Sequence, residues 1–232
     1  MKLPPVCRQR VWLFDLDNTL HNASFAAFAG INEGMNDYIV RELQIAPEAA
    51  AALRRDYWQR YGATLLGLVK HHAVDAAHFL HHTHLLPGLE ATVHGHRHDF
   101  AAVRQLRGRK VILSNAPRAY AERVLAALGI GRYFDALITI EDMHMFGQLR
   151  PKPDARMLRR VLARLRVPAA HCVLVEDTLQ HQRSARRVGM KTVWMQRWSR
   201  AAAHDARSRW HIKPMYVNLK VRALRALHRR CF

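Results

Sequence analysis

The chain has 232 residues, half of them hydrophobic, so it can bury a sizeable core and is not a disordered protein. Its formal charge of +19 is compatible with substrates or partners that carry negative charge, but a solvated basic helical surface is the favoured explanation. No apolar run approaches the roughly 18 residues of a membrane-spanning helix, and no signal-peptide pattern is present, so we expect a cytoplasmic protein. Cys7, Cys172 and Cys231 have neither metal-ligand nor disulfide spacing, and we expect all three to be reduced.

The first predicted element is a short buried strand that leads directly into two carboxylates. Val11–Phe14 are bulky and apolar, and Asp15 and Asp17 follow them. Charged side chains are rarely buried unless they are paired or hold a metal, and residues two apart in a strand face the same side. The two acids therefore form a candidate ligand site. A capped turn that leads into a helix is the alternative interpretation.

The region after the first strand is predicted to be helical. Helical patterns cover residues 25–43, 47–61 and 74–82, and no convincing strand interrupts them. We therefore predict a small helical domain over residues 21–99, inserted after the first strand. This region is rich in histidine, but the spacing matches no recognised zinc pattern, and scattered surface histidines are favoured over a structural zinc site.

Four further strand-like runs alternate with helical patterns in the rest of the chain. This alternation is typical of βαβ units, so we predict an α/β fold with a doubly wound, Rossmann-like parallel sheet over residues 1–20 and 100–198. Residues 199–232 are predicted to form a basic, helical C-terminal extension. The predicted strands are 110–114, 136–140, 172–175 and 192–195, and the predicted helices are 118–128, 155–165 and 180–188.

Polar residues collect where the predicted strands end, which is the edge at which open α/β sheets bind ligands. Ser114 and Asn115 end the second strand, Lys152 lies between two prolines after the third, and Glu176 and Asp177 end the fourth. Because the carboxyl ends of parallel strands meet at one edge, we expect these side chains to face one crevice together with the acids of the first strand.

The order of these residues resembles the haloacid dehalogenase superfamily over residues 11–195. Any one of the motifs is a weak signal, whereas four in order at strand ends are specific. The four motifs of that superfamily are matched, in chain order, by Asp15-Leu16-Asp17-Asn18-Thr19, Ser114, Lys152 and Glu176-Asp177.

The resemblance implies a phosphatase that acts through a covalent intermediate. Asp15 would attack phosphorus and form an aspartyl-phosphate. Asp17 would protonate the leaving alkoxide and later take a proton from the incoming water. Ser114 and Lys152 would hold the phosphoryl oxygens.

The resemblance also implies Mg²⁺ as the cofactor. Its oxygen ligands would be the side chains of Asp15 and Asp177 and the main-chain carbonyl of Asp17. Glu176 would pair with Lys152. Many members of the superfamily have a further Asp or Asn a few residues beyond the fourth motif, where this chain has Gln180-His181-Gln182. A histidine is a poor ligand for a hard cation.

Residues 57–68, in the predicted insertion, resemble the cap of pyrimidine 5′-nucleotidase-type members of the superfamily. The resemblance implies pyrimidine nucleoside 5′-monophosphates, UMP or CMP, as substrates. Packing of a helical hairpin explains the apolar spacing there equally well. The candidate substrate contacts are Tyr61 for stacking, Thr64 and His71 for polar edges, and Asn22 and Asn115 for phosphate or sugar.

Other functions stay open at this point. A promiscuous phosphatase of sugar or pyridoxal phosphates would use the same residues, and its partner would again be a small phosphorylated metabolite. A dehalogenase is disfavoured because halide displacement needs no magnesium site. A nucleic-acid-interacting protein on the same fold would explain the ten Lys or Arg residues from position 197 onward, although no recognised nucleic-acid-binding motif is present. No membrane partner is expected.

Overall fold

A six-stranded parallel sheet forms the centre of the larger of two compact units. The computed structural model describes residues 10–202 and 210–229. Within them, one unit combines the residues up to Ser24 with those from Val93 onward, and the other is Phe25–Thr92. The predicted α/β fold with a doubly wound parallel sheet is confirmed. Cys172 is free and buried, whereas Cys7 and Cys231 lie outside the described residues.

The strands are β1 (Val11–Phe14), β2 (Arg109–Leu113), β3 (Ala136–Ile138), β4 (His144–Met145), β5 (Gln148–Leu149), β6 (Cys172–Glu176), β7 (Lys191–Met195) and β8 (Leu219–Val221). The strand order of the sheet is β3-β2-β1-β6-β7-β8, and each neighbouring pair is parallel. A separate antiparallel pair, β4 and β5, forms a short hairpin.

The central position of β1 decides where the first carboxylates lie. All four residues of β1 are buried, and β2 and β6 flank the strand on its two sides. The chain reverses its direction of progress across the sheet at β1, and ligands bind at such switch points, beyond the carboxyl ends of the strands. Asp15 follows β1 and continues its ladder, because its amide donates to the carbonyl of Val175 at 2.9 Å.

Helices α8–α10 connect the strands as the sequence predicts. α8 ends at Gly129, whose φ of 67° is left-handed, and the Asp154 carboxylate caps the start of α9. The helices of the chain are α1 (Ala23–Ala26), α2 (Phe28–Leu43), α3 (Pro47–Tyr61), α4 (Thr64–His72), α5 (Ala76–Thr83), α6 (Leu89–Thr92), α7 (Arg97–Gln105), α8 (Arg118–Leu128), α9 (Ala155–Leu165), α10 (Leu179–Arg187) and α11 (Arg197–Ala202).

The second unit, Phe25–Thr92, is entirely helical and is shorter than the insertion expected over residues 21–99. Its core includes Tyr38, whose ring meets that of Phe79 edge-on at 5.0 Å between centroids. The hydroxyl of Tyr38 lies 2.8 Å from Nδ1 of His78, so a histidine of this region takes part in packing. Throughout the described part of the chain, no helix is both long enough and apolar enough to cross a membrane.

The predicted helical extension over residues 199–232 is wrong where the chain forms β8. Leu219–Val221 pairs with β7 in register Val193↔Leu219 and adds the sixth strand to the sheet. Leu219 and Val221 are buried while Lys220 between them is half-exposed, which is the alternation of an edge strand. Three residues are too short a run to separate this alternation from a helical period. A short 3₁₀ helix, Leu224–Arg229, follows.

Gly108 is the position at which a side chain would most directly disturb the entry into β2. Its φ is 106°, and an added Cβ would lie 2.2 Å from the carbonyl oxygen of Arg10. We expect Gly108→Ala to lower the free energy of unfolding by roughly 1–3 kcal/mol from backbone strain alone, with the clash adding to the loss. Urea denaturation measures the change.

Gly129→Ala is the matched control for this prediction. Gly129 also has a left-handed φ, but nothing lies within 4 Å of an added Cβ. The free energy of unfolding of Gly129→Ala should fall by only about 1 kcal/mol, the strain of an alanine in the left-handed region. Equal losses in the two variants would show that the contact with Arg10 does not constrain β2.

Candidate active site

The ammonium group of Lys152 is the centre of the polar cluster at the carboxyl edge of the sheet. Its Nζ donates to Oδ1 of Asp15 at 2.6 Å, to Oε2 of Glu176 at 2.7 Å and to the carbonyl of Leu113 at 2.8 Å. An ammonium group has three hydrogens, so all three are used. The predicted pairing of Glu176 with Lys152 is present in the structure.

The main chain of Lys152 is held as firmly as its side chain. The Asn115 side chain accepts from the amide of Lys152 through Oδ1 and donates to its carbonyl through Nδ2, both at 2.9 Å. Asn115 follows β2, so this double contact fixes the loop of Lys152 to the sheet edge. The structure thus gives Asn115 a positioning contact with protein main chain, where the sequence predicts a contact with substrate.

Burial and charge set the protonation of this cluster. Burial alone lowers the pKa of Lys152, but the two carboxylates outweigh it and raise that pKa above its ordinary value. Burial raises the pKa of Glu176, but Lys152 and His181 outweigh it and hold that pKa below its ordinary value. Burial, followed by the charge of Glu176, raises the pKa of Asp15 to about 8. Lys152 therefore stays charged, and Asp15 is the carboxylate that the site leaves under-compensated.

A third carboxylate completes a group with the character of a cation site. Oxygen atoms of Asp15, Glu176 and Asp177 all lie within 4.8 Å of one another. Removal from solvent, followed by the charges of Glu176 and Asp15, raises the pKa of Asp177 well above its ordinary value. Three carboxylates face one ammonium group here, so two negative charges are left uncompensated when all three acids are ionised. Hard oxygen ligands with excess negative charge fit Mg²⁺, and Asp15 and Asp177 are the side chains that would hold it.

Asp17 lies in a different environment from Asp15. One of its oxygens, Oδ1, is 2.9 Å from Nε2 of His21 and accepts from the hydroxyl of Tyr120 at 2.8 Å. Burial, followed by the charge of Asp17, raises the pKa of the Tyr120 phenol above its ordinary value, so the phenol stays protonated and donates. The side chain of Asp17 is 20% exposed, which leaves it accessible from solvent.

Ser114 is fully buried at the end of β2. Its Oγ accepts from the amide of Ala116 at 3.0 Å, so the hydroxyl hydrogen stays available for a phosphoryl oxygen. Asn22 instead contacts the main chain of His94. Its side-chain Oδ1 accepts from the main-chain amide of His94 at 2.6 Å, and its own main-chain amide donates to the carbonyl of His94 at 3.1 Å.

The three other predicted substrate contacts lie in the helical unit and bond within it. The hydroxyl of Tyr61 is 2.6 Å from Nε2 of His71. Thr64 is buried, and its Oγ1 donates to the carbonyl of Arg54 at 3.0 Å. Packing of the helical unit accounts for these contacts, so their predicted contact with substrate stays a prediction.

Sequence reasoning did not identify three side chains that contact the cluster. His21 and Tyr120 bind Asp17, and the hydroxyl of Ser199 donates to Oδ2 of Asp177. The position of His21, four residues after Asp17, is a weak local signal. Nothing in the sequence relates Tyr120 or Ser199 to these acids, because both contacts join distant parts of the chain.

Comparison with known proteins places this fold and site in one family. A model of the haloacid dehalogenase-like hydrolase family matches residues 10–189. This chain belongs to that family. As a haloacid dehalogenase-like hydrolase, it resembles the HAD phosphatase from Thermococcus onnurineus in fold, with a TM-score of 0.64 and 21% identity over 95% of this chain and 96% of that one.

Curated relatives match this hydrolase at 28–32% identity, over differing shares of its length. The validoxylamine A 7′-phosphate phosphatase of Streptomyces hygroscopicus subsp. limoneus is 28% identical over 206 residues, covering 85% of this hydrolase and 88% of the relative. The plasmid phosphoglycolate phosphatase of Cupriavidus necator is 32% identical over 106 residues, 46% of this hydrolase. The first two curated relatives that it matches are spanned over only 23% and 41% of their own length.

The buried ion pairs predict a large effect of removing Lys152. Lys152→Met leaves Asp15 and Glu176 buried without their counter-charge, so the free energy of unfolding should fall by roughly 3–5 kcal/mol at neutral pH. Without Lys152 the folded-state pKa values of both acids lie above their unfolded values, so the loss should shrink as pH falls and the acids take up protons. Denaturation at several pH values measures both effects.

Lys110→Met is the control for this substitution. Among the described residues, the ammonium group of the half-exposed Lys110 donates to the carbonyls of Leu106 and Gly108. Because it pairs with no carboxylate there, removal of the Lys110 side chain should change stability little and without this pH dependence. A Lys152→Met variant that behaves like Lys110→Met would contradict the description of the cluster.

Proposed function

We propose that this hydrolase is a magnesium-dependent phosphomonoesterase that acts through an aspartyl-phosphate intermediate. The observation that carries the proposal is the contrast between Asp15, held by the buried ammonium of Lys152, and Asp17, held by a phenol and an imidazole. Two acids with such different surroundings suit the separate tasks of nucleophile and proton donor. The phosphatase names of the relatives that it matches support the same reaction class.

The proposed first step forms a bond between Asp15 and phosphorus. A carboxylate oxygen of Asp15 attacks, the bond from phosphorus to the ester oxygen breaks, and Asp17 gives its proton to the departing oxygen. Lys152 supplies a fixed positive charge beside the phosphoryl group, and the hydroxyl of Ser114 would donate to a phosphoryl oxygen as its negative charge grows. Mg²⁺, bound by Asp15, Asp177 and the main-chain carbonyl of Asp17, would offset the repulsion between these carboxylates and a phosphate dianion.

The second step restores the enzyme. Asp17, now a carboxylate, takes a proton from a water molecule as the water oxygen attacks phosphorus. The bond from phosphorus to Asp15 breaks, and inorganic phosphate leaves. The cycle therefore consumes one water molecule, and Asp17 ends with the proton that it had at the start.

We propose small phosphorylated metabolites as the substrate class and pyrimidine nucleoside 5′-monophosphates as its preferred members. The finer assignment rests on the sequence of residues 57–68. Sugar phosphates and pyridoxal phosphate are the alternative substrates. The relatives carry the names of two different phosphomonoesterases, so a broad panel of substrates is the appropriate test.

Phosphate release from a panel of phosphomonoesters tests the proposed reaction. We expect turnover with Mg²⁺ and loss of turnover with a chelator. If pyrimidine nucleotides are the preferred substrates, kcat/KM should be highest on UMP or CMP. Asp15→Asn removes the nucleophile and should lower kcat by a factor on the order of 10³ or more, with the fold intact by circular dichroism.

Asp56→Asn is the matched control, because within residues 10–202 and 210–229 the Asp56 side chain forms a surface ion pair with Arg60 and no contact with the carboxylate cluster. It should retain wild-type turnover. No turnover by the wild type on any member of the panel would overturn the proposed function, and retained turnover in Asp15→Asn would exclude Asp15 as nucleophile.

The proposed metal ligands predict a separate, non-catalytic response. Millimolar Mg²⁺ should raise the melting temperature of the wild type, because a ligand that binds only the folded state stabilises it by mass action. Asp177→Asn should abolish this increase. Without metal, the free energy of unfolding of this variant should fall by no more than about 1 kcal/mol, which corresponds to the loss of one hydrogen bond to Ser199. Asp56→Asn should keep the increase. An equal increase in all three proteins would place any Mg²⁺ elsewhere.

A further inference from the structure

We propose that His21 and Tyr120 are positioning residues that hold one oxygen of Asp17, so that the other oxygen carries the proton given to the leaving group. This inference rests on the proposed phosphatase function. Both donors belong to the same compact unit as the carboxylate cluster. Neither residue is part of the four motifs that identify the family.

The two donors converge on one atom. Nε2 of His21 lies 2.9 Å from Oδ1 of Asp17, and the Tyr120 hydroxyl lies 2.8 Å from the same oxygen. His21 is fully buried and Tyr120 is 1% exposed, so both donors sit in a packed surrounding. Buried side chains lose little further freedom when they hold a partner, which makes them suitable to fix the orientation of a partly exposed acid.

The surroundings of His21 assign its ring hydrogen. Its Nδ1 is buried and meets no hydrogen-bond partner among the described residues. A hydrogen on Nδ1 would leave a buried donor unpaired, whereas a lone pair there is less costly. The ring hydrogen therefore belongs on Nε2, where it points at Asp17. Oδ1 then accepts two hydrogens.

The donors come from different elements, so they fix Oδ1 in two directions. His21 follows Asp17 by four residues, and the main chains of the two form an isolated parallel bridge. Tyr120 lies in the first turn of α8, which follows β2. A rotation of the Asp17 carboxyl about its last bond would break both contacts together. The carboxyl is therefore held in one orientation by two separate parts of the chain.

This arrangement divides the work of the two Asp17 oxygens. An oxygen that accepts two hydrogens is a poor place for the acidic proton, so the proton resides on Oδ2. When the bond from phosphorus to the ester oxygen breaks, the electron pair stays on that oxygen and the Oδ2 proton moves to it. Asp17 becomes a carboxylate whose charge the two donors already stabilise. Removal of a donor should therefore weaken proton donation and leave attack by Asp15 intact.

Leaving-group dependence tests this role directly. An alkoxide leaves poorly without a proton, whereas 2,4-dinitrophenolate leaves without help. We expect Tyr120→Phe to lower kcat/KM by roughly 10–100-fold, part of the 10²–10⁴-fold that a general acid contributes, on the alkyl phosphate that the wild type hydrolyses fastest. On 2,4-dinitrophenyl phosphate the same variant should stay within about 3-fold of the wild type, since the acid contributes little there.

Two further variants separate positioning from folding. His21→Gln keeps a side-chain N–H near the position of Nε2 and should retain more alkyl phosphatase activity than His21→Leu, which has no donor. Tyr38→Phe removes the hydroxyl of another buried tyrosine that bonds a histidine, and it should leave kcat/KM on both substrates unchanged. Melting temperatures of all variants identify any that fold poorly.

The outcomes are distinct. A loss confined to the alkyl phosphate, with partial rescue in His21→Gln, supports the positioning role. Equal losses on both substrates, or no loss in Tyr120→Phe, would overturn it while the phosphatase function stands. A wild-type protein that hydrolyses neither substrate would overturn the proposed function and this inference with it.

Discussion

The three hydrogen bonds of Lys152 are the constraint on which the site depends. They join the residue after β1, the last residue of β2 and the last residue of β6 to one loop. A buried ammonium group is unfavourable in isolation, and so is each of the two buried carboxylates, but together they compensate one another. The carboxyl ends of three adjacent strands are thereby held by charge as well as by main-chain hydrogen bonds. Loss of any one partner leaves the others uncompensated.

The same cluster explains how two acids only two residues apart differ chemically. Asp15 is buried beside another carboxylate and a lysine, so its protonation depends on the net charge around it. Asp17 is partly exposed and contacts a phenol and an imidazole. The alternation of a strand predicts that the two side chains share a side of the chain. It does not predict that their environments differ, because much of that difference comes from residues distant in the chain, which are Lys152, Glu176 and Tyr120.

Patterns within a short window predicted most of the fold, and contacts across long separations account for what was missed. Helix α8 was predicted with the bounds that the structure gives, because its apolar spacing and Gly129 are local signals. Strand β8 was missed because the alternation of Leu219 and Val221 identifies an edge strand only once β7 is known to pair with it. The contact of Tyr120 with Asp17 likewise joins residues 103 positions apart, and no local pattern encodes it.

Strand β8 makes the last part of the chain integral to the sheet. The chain between β7 and β8 includes Ser199, whose hydroxyl binds Asp177. Cleavage by a protease in this connection would free β8 to leave and expose the main-chain groups of β7 as a new edge, which invites pairing with other chains. Intact connectivity between β7 and β8 therefore keeps the edge of the sheet covered.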